Sequence, residues 1–151
     1  HTVLHIDLHT GLGKHGRYEM LLDYAPLSAE FEPFTRWFDP AYIVSDHADA
    51  AANYVAHGMV TQLIERSFSA ARTYTTVVDF GTTTPTRILK ALRAENRLHH
   101  HGCADAARAA RVRAELRAAF YPSSQAWRAG ILAHGRDIFT RLSAALRNGL
   151  K

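Results

Sequence analysis

The sequence predicts an α/β fold, in which buried strands form a sheet and helices flank it. Two strand-like segments lie early and in the middle of the chain, and the second half consists of stretches with helical spacing. Length and composition agree, because 151 residues, 47% of them hydrophobic and 21% charged, suit one globular domain with a sizeable core. We therefore expect residues 1–151 to belong to one domain.

The first predicted strand covers residues 2–8, which are largely aliphatic and β-branched and lead into a glycine-containing loop. His5, Asp7 and His9 alternate along this segment, so their side chains are expected to project from one face. The segment reads as a buried strand that begins almost at the first residue. We therefore expect the chain to be part of a longer domain, with sequence missing upstream.

The middle of the chain contains the strongest strand signal. Residues 14–39 mix prolines with aromatic residues and predict an irregular segment with one short strand, whereas residues 47–68 have helical spacing. Residues 73–80 are β-branched and aromatic, and a glycine follows them. The two long strands thus carry His9 and Asp79 near their carboxyl ends, where open α/β sheets gather functional residues.

Three helices are predicted in the second half, over residues 85–101, 104–120 and 125–146. A proline suits the first turn of the first helix, a proline follows the second, and a serine is placed to cap the third. Apolar residues at helical spacing in the third helix are expected in the core: Trp127, Ile131, Ile138 and Leu142.

Charge is distributed unevenly along the chain, whose net charge is +4 with neutral histidines. Through Asp79 there are five basic and ten acidic residues, and beyond it thirteen basic and four acidic. This distribution excludes a uniformly polycationic nucleic-acid binder, and we expect no nucleic-acid partner.

Cys103 is the only cysteine, so neither an internal disulfide nor a cysteine-rich metal cluster is possible. No apolar run approaches the roughly 20 residues that span a bilayer, so we expect no membrane partner.

Two further clusters each have a functional and a structural interpretation. Three consecutive histidines at 99–101 cannot share one helical face, and their position at a helix carboxyl end is favourable without a metal. Arginines of the second predicted helix either follow phosphates or form a solvated face, and no aromatic residues interleave with them for base stacking. These arginines are Arg108, Arg111, Arg113 and Arg117.

His9 and Asp79 are the candidate site residues. A strand-end imidazole can bind zinc, with Asp7 on the same face orienting it; alternatively, His9 is a hydrogen-bonded histidine at a turn. Asp79 lies at the rim of the predicted sheet, where partial burial would raise its pKa and suit a general base. Alternatively, Asp79 accepts hydrogen bonds from the turn or caps the next helix. The residues alone favour the structural alternative in both cases.

Three segments together add a family resemblance: Asp-Leu-His-Thr-Gly-Leu-Gly at 7–13, Asp-Phe-Gly-Thr at 79–82 and Ala-Leu-Arg-Ala-Glu-Asn at 91–96. In this order they resemble the carboxyl-terminal portion of the zinc carboxypeptidase superfamily, near its poorly characterised bacterial branch beside aspartoacylase and succinylglutamate desuccinylase. The resemblance implies an open mixed sheet with flanking helices. It also implies that residues 1–151 are the carboxyl-terminal part of a single catalytic domain.

The resemblance implies a zinc-dependent hydrolase with a small peptide or an acylated amino acid as substrate. His9 matches the third protein ligand of the zinc, and Asp79 matches the general base. Three protein ligands leave zinc an open position for a water, whose pKa falls towards about 7 so that a carboxylate can take its proton. That water then attacks an amide or ester carbonyl.

Two departures from the family pattern define the competing hypothesis. The family has glutamate where this chain has Asp79, and the missing methylene withdraws the carboxylate by roughly 1.5 Å. The family's first two zinc ligands form a His-x-x-Glu motif, and no such motif occurs in these 151 residues. We therefore expect these residues to be inactive alone, and the alternative is a degenerate, non-catalytic relative or a binding domain on the same fold. The sequence indicates neither a compartment nor an oligomeric state.

Overall fold

A computed structural model of the protein describes residues 1–45 and 58–149. These residues form four strands and five helices, which confirms the predicted α/β class. The strands are β1 (Thr2–Gly11), β2 (Tyr18–Leu22), β3 (Ile43–Ser45) and β4 (Arg72–Gly81). The helices are α1 (Glu32–Trp37), α2 (Val60–Ser67), α3 (Pro85–His101), α4 (Ala106–Phe120) and α5 (Gln125–Arg147), and a 3-10 turn covers Pro40–Tyr42.

The four strands form one open mixed sheet in the order β1-β4-β2-β3. β2 and β3 are parallel, with Met20 paired to Ile43. β4 runs antiparallel to β2, because Gly81 N donates to Arg17 O while the Thr76 hydroxyl, earlier in β4, donates to Leu21 O, later in β2. The structure therefore confirms a mixed sheet.

β1 and β4 differ in burial although both were predicted as buried strands. The last eight residues of β4 are buried, whereas most of β1 is half-buried or exposed. The prediction is correct for β4 and wrong for β1. The reason is the strand order: β4 has a neighbouring strand on each side, and β1 has one on a single side.

The three helices of the second half begin and end close to the predicted residues. α3 has the predicted bounds, and α4 begins two residues later than predicted because the Asp105 carboxylate caps it, accepting from Arg108 N at 3.0 Å. The Ser124 hydroxyl accepts from Trp127 N at 3.2 Å, which confirms the serine cap of α5.

The region before β4 is only partly tested. The helix predicted over 47–68 is present over Val60–Ser67, and residues 47–57 of that prediction lie outside the described residues. Residues 14–39 contain the expected short strand but also α1, which the pattern did not predict. α1 has six residues, too few for a helical period to stand out among prolines and aromatic residues.

The chain divides into two compact units. The first comprises residues 1–9, 19–79 and 134–151, and the second comprises residues 10–18 and 80–133. The first unit has an aromatic cluster in which the Phe34 ring lies 5.4 Å from that of Trp37 and 6.3 Å from that of Tyr74. Three of the four predicted core residues of α5 are buried, namely Trp127, Ile138 and Leu142, and Ile131 is half-buried.

A buried polar network also stabilises the first unit. The Tyr24 hydroxyl donates to Glu65 Oε1 at 2.6 Å, and the Thr75 hydroxyl donates to the same oxygen at 2.7 Å. Thr75 N donates to the Tyr24 hydroxyl oxygen at 2.9 Å. Burial, followed by the hydrogen bond to Glu65, raises the pKa of Tyr24 far above its ordinary value, so the phenol stays a neutral donor.

Replacing Tyr24 by Phe is expected to destabilise the protein by about 1–3 kcal/mol, because the buried Thr75 N–H loses its acceptor and Glu65 loses a donor. Because the pKa of Tyr24 is raised on folding, its contribution to the free energy of unfolding is complete below the unfolded pKa of about 10 and is lost as pH rises further. The difference in stability between the wild type and Tyr24→Phe is therefore expected to narrow above about pH 10. Urea unfolding at pH 7 and pH 10.5 measures both effects. Tyr121→Phe, at an exposed tyrosine, is the control, and equal losses in the two variants would contradict the prediction.

Candidate active site at the ends of β1 and β4

The register of β1 and β4 places His9 and Asp79 side by side. Arg72 N donates to His1 O at 3.1 Å where the strands begin, and Thr82 N donates to Gly11 O at 3.3 Å where they end. Since one bond joins the two starts and the other joins the two ends with the same offset, the strands run parallel, and each residue of β1 aligns with the residue 70 positions later. Aligned residues of neighbouring parallel strands share a face and lie about 4.8 Å apart. The two candidate site residues are therefore neighbours on one face of the sheet, within the first unit.

His9 contacts Asp7 on this face. Its Nε2 lies 3.0 Å from Asp7 Oδ2, and 48% of the His9 side chain is exposed. The alternation of polar residues in β1 correctly predicted that these two side chains share a face. Because Nε2 is occupied by the carboxylate, Nδ1 is the ring nitrogen that a further partner would use. This geometry suits a hydrogen-bonded histidine and equally a metal ligand.

Asp79 is buried, with 6% of its surface exposed. It follows Val77 and Val78, which are also buried in β4. The helix after β4 is capped by the Thr84 hydroxyl, which accepts from Arg87 N, so the alternative that Asp79 caps this helix is wrong. A buried carboxylate beside a half-exposed imidazole is an arrangement that can move a proton at the sheet rim.

The second unit contains a tightly held loop between β1 and β2. Gly16 N donates to Gly81 O at 3.0 Å, and Gly81 N donates to Arg17 O at 2.8 Å. The approach is so close that a Cβ on Gly81 would lie 2.2 Å from Lys14 O. Trp127 Nε1 also donates to Gly81 O, at 2.9 Å. The backbone of the loop is thus hydrogen-bonded directly to the end of β4.

His15 in this loop was not singled out by the sequence. Its Nδ1 forms a short hydrogen bond with the backbone oxygen of Thr82, while the Thr82 hydroxyl lies 3.1 Å from Gly11 O and 2.6 Å from Ala119 O. A carbonyl can only accept, so Nδ1 carries a proton and donates it to Thr82 O, and the ring itself is exposed. The only sequence signal for His15 is a histidine among closely spaced glycines after a strand.

The other metal-ligating residue types do not converge. His99, His100 and His101 are all exposed at the end of α3, and Cys103 is exposed just after it. Within residues 1–45 and 58–149, no three or more His, Cys, Asp or Glu side chains are arranged to hold a metal ion. His9 with Asp7 therefore supplies one potential ligand and its carboxylate partner.

Within residues 1–45 and 58–149, no helix has both the length and the apolarity needed to cross a bilayer.

The fold and this strand-end pair define a mixed α/β protein with a histidine and an aspartate aligned at the sheet rim. The profile of one family, described as "Protein of unknown function (DUF2817)", matches residues 1–134, and the chain belongs to this family. No curated protein and no solved structure matches the chain significantly. The finer relation to the zinc carboxypeptidases stays a prediction.

Proposed function

We propose that the protein is a zinc-dependent hydrolase that cleaves an amide bond in a small peptide or an acylated amino acid. His9 contributes one zinc ligand, and Asp79 is the general base. The observation that supports this proposal most is the alignment of the two residues on one face of the sheet, with Asp7 bonded to the His9 ring. A metal-ligating histidine commonly gives its other ring nitrogen to a carboxylate in this way.

The described residues fit a zinc site only in part. Asp7 contacts the His9 ring at Nε2, so His9 would ligate the metal through Nδ1. A catalytic zinc takes three protein ligands and keeps one position open. The other two ligands would come from outside the described residues. When bound, zinc would polarise the substrate carbonyl and lower the pKa of a water to about 7.

The chain's own residues would orient groups and move a proton. Asp7 accepts from His9 Nε2–H and so fixes the tautomer and orientation of the imidazole. Asp79 accepts the proton of the attacking water at a carboxylate oxygen and returns it to the leaving nitrogen, which departs as an amine. Its position on a buried strand holds that carboxylate in place.

A non-catalytic relative on the same fold is the second candidate. It is favoured by the lack of a three-residue metal group among the described residues and by aspartate where the resembled family has glutamate. The shorter side chain withdraws the carboxylate by roughly 1.5 Å. A misplacement of about 1 Å can lower a rate on the order of 100-fold.

Zinc analysis of the intact protein distinguishes the two candidates. The hydrolase is expected to retain about one zinc per chain after dialysis, as measured by plasma mass spectrometry. His9→Ala is expected to lose most of this zinc, and Asp7→Asn is expected to weaken zinc binding by about 10–100-fold, because Asn cannot accept a charge-assisted bond from the ring. His100→Ala, at an exposed histidine of α3, is the control and is expected to retain zinc. A zinc-free wild type, or unchanged zinc in His9→Ala, would contradict the ligand assignment.

A further inference from the structure

The second unit carries most of the positive charge of the protein. Its residues, 10–18 and 80–133, include eleven Lys and Arg and three Asp and Glu, a net charge of +8, whereas the first unit has a net charge of −4. None of the arginines of α3 and α4 forms an ion pair with a described residue. Their guanidinium groups therefore keep their capacity to bind an anion.

Some of these arginines line a groove between the end of α3 and the beginning of α4. The groove has a volume of about 470 Å³ and is lined by Arg97 from α3 and Arg108 from α4, one from each helix. His101 adds a third group that can carry positive charge, and Leu98 and Val112 contribute apolar surface. The volume lies in the range of about 300–1,000 Å³ that is typical of small-molecule sites. Such sites combine apolar surface with a few polar groups that orient the ligand.

The carboxylates nearest in sequence do not neutralise the groove. Asp105 caps α4 by accepting from Arg108 N at 3.0 Å, and it is not among the groove-lining residues. Glu95 lines an adjoining depression that Arg97 and His101 also line, but it forms no ion pair with a described residue. Two positively charged side chains that line one groove without an ion-pair partner would attract an anion to it.

We propose that this groove binds a small organic anion, consisting of a carboxylate or phosphate group attached to a short apolar group. Arg97 and Arg108 hold the anionic oxygens from the two helices, and Leu98 and Val112 contact the apolar group. The planar guanidinium matches carboxylate and phosphate oxygens with paired hydrogen bonds, which makes arginine the preferred residue for either anion. The proposal rests only on the second unit and does not depend on the proposed hydrolase.

The observations favour a small anion over a nucleic acid. A single strand is held by aromatic side chains that stack on successive bases, and the groove contains no Phe, Tyr or Trp. The exposed arginines Arg111, Arg113 and Arg117 lie outside the groove. A polymer that follows phosphates would contact them as well as Arg97 and Arg108, so substituting one of them distinguishes a polymer from a small anion.

Titration of the full chain with phenyl phosphate, benzoate and inorganic phosphate at physiological salt tests the proposal. The two aromatic probes distinguish a phosphate head group from a carboxylate, and inorganic phosphate lacks an apolar part. At least one aromatic probe is expected to bind saturably and more tightly than inorganic phosphate, as measured by calorimetry. Arg97→Gln and Arg108→Gln are each expected to weaken that binding by about tenfold, because each removes a hydrogen bond between charged groups.

Arg113→Gln is the matched control, because it removes the same charge from an exposed position of α4 outside the groove. It is expected to change the affinity by less than about twofold at physiological salt. Equal weakening by all three variants, or no saturable binding of either aromatic probe, would overturn the proposal. A twelve-residue oligothymidylate that binds more tightly than the probes, and that all three variants weaken equally, would also overturn it and would indicate a polyanion surface.

Discussion

In the intact, zinc-loaded protein, replacement of Asp79 by Asn is expected to lower kcat by about 10²–10⁴-fold, the usual contribution of a general base. Asparagine has nearly the same shape as aspartate, so it fits a position with 6% exposure, but its amide cannot accept the proton of the attacking water. Zinc content is expected to stay unchanged, because the proposed ligand is His9 and not Asp79. Hydrolysis of a panel of N-acyl amino acids and dipeptides, measured with zinc content on the same samples, tests both expectations.

The pH dependence separates a base from a structural carboxylate. If Asp79 is the base, kcat/KM of the wild type falls on the acidic side as the carboxylate is protonated, and this limb is absent in Asp79→Asn. Asp137→Asn is the control, because Asp137 is exposed and pairs with Arg141 at 2.8 Å. Turnover retained in Asp79→Asn would contradict the assignment. A loss of turnover accompanied by a loss of zinc and a lower melting temperature would show a structural role instead.

Elements with strong local signals could be predicted from the sequence. β4 is a run of β-branched and aromatic residues that ends at Gly81, and α3 lies between a proline at its first turn and Gly102 at its end. These signals act within a few residues, because they come from backbone sterics and from terminal hydrogen-bonding groups. Burial of β1 could not be predicted in this way, since it depends on the strand order of the whole sheet.

The candidate site shows the same division between local and long-range information. The sequence indicated His9 and Asp79 separately, as polar residues at strand ends, but their alignment depends on the pairing of β1 with β4 across 70 residues. His15 was missed because its orientation comes from a bond to Thr82, 67 residues away. The charge excess of the second half was visible, yet only the packing of α3 against α4 brings Arg97 and Arg108 to one groove.

Gly81→Ala is expected to destabilise the protein by about 3–5 kcal/mol or to prevent folding, because overpacking is added to lost hydrogen bonds. The new Cβ would lie 2.2 Å from Lys14 O, and this neighbour is a backbone atom that no rotamer change can move. Shifting the strand end would also strain the bonds of Gly81 with Gly16 N, Arg17 O and Trp127 Nε1. The free energy of unfolding in urea measures the loss.

Gly135→Ala is the matched control, because it adds the same methyl group inside α5, where a Cβ would meet nothing within 4 Å. Alanine is a better helix former than glycine, so this variant is expected to gain about 0.5–1 kcal/mol. The same added carbon is thus expected to act with opposite signs at two glycines. A Gly81→Ala protein within about 1 kcal/mol of the wild type would contradict the close packing of the loop on β4. If Gly81→Ala does not fold, the double variant Gly81→Ala/Lys14→Gly tests the cause. The clash is with the Lys14 carbonyl, which glycine also has, so the double variant is expected not to fold either. Recovered folding would show that the Lys14 side chain was the obstacle.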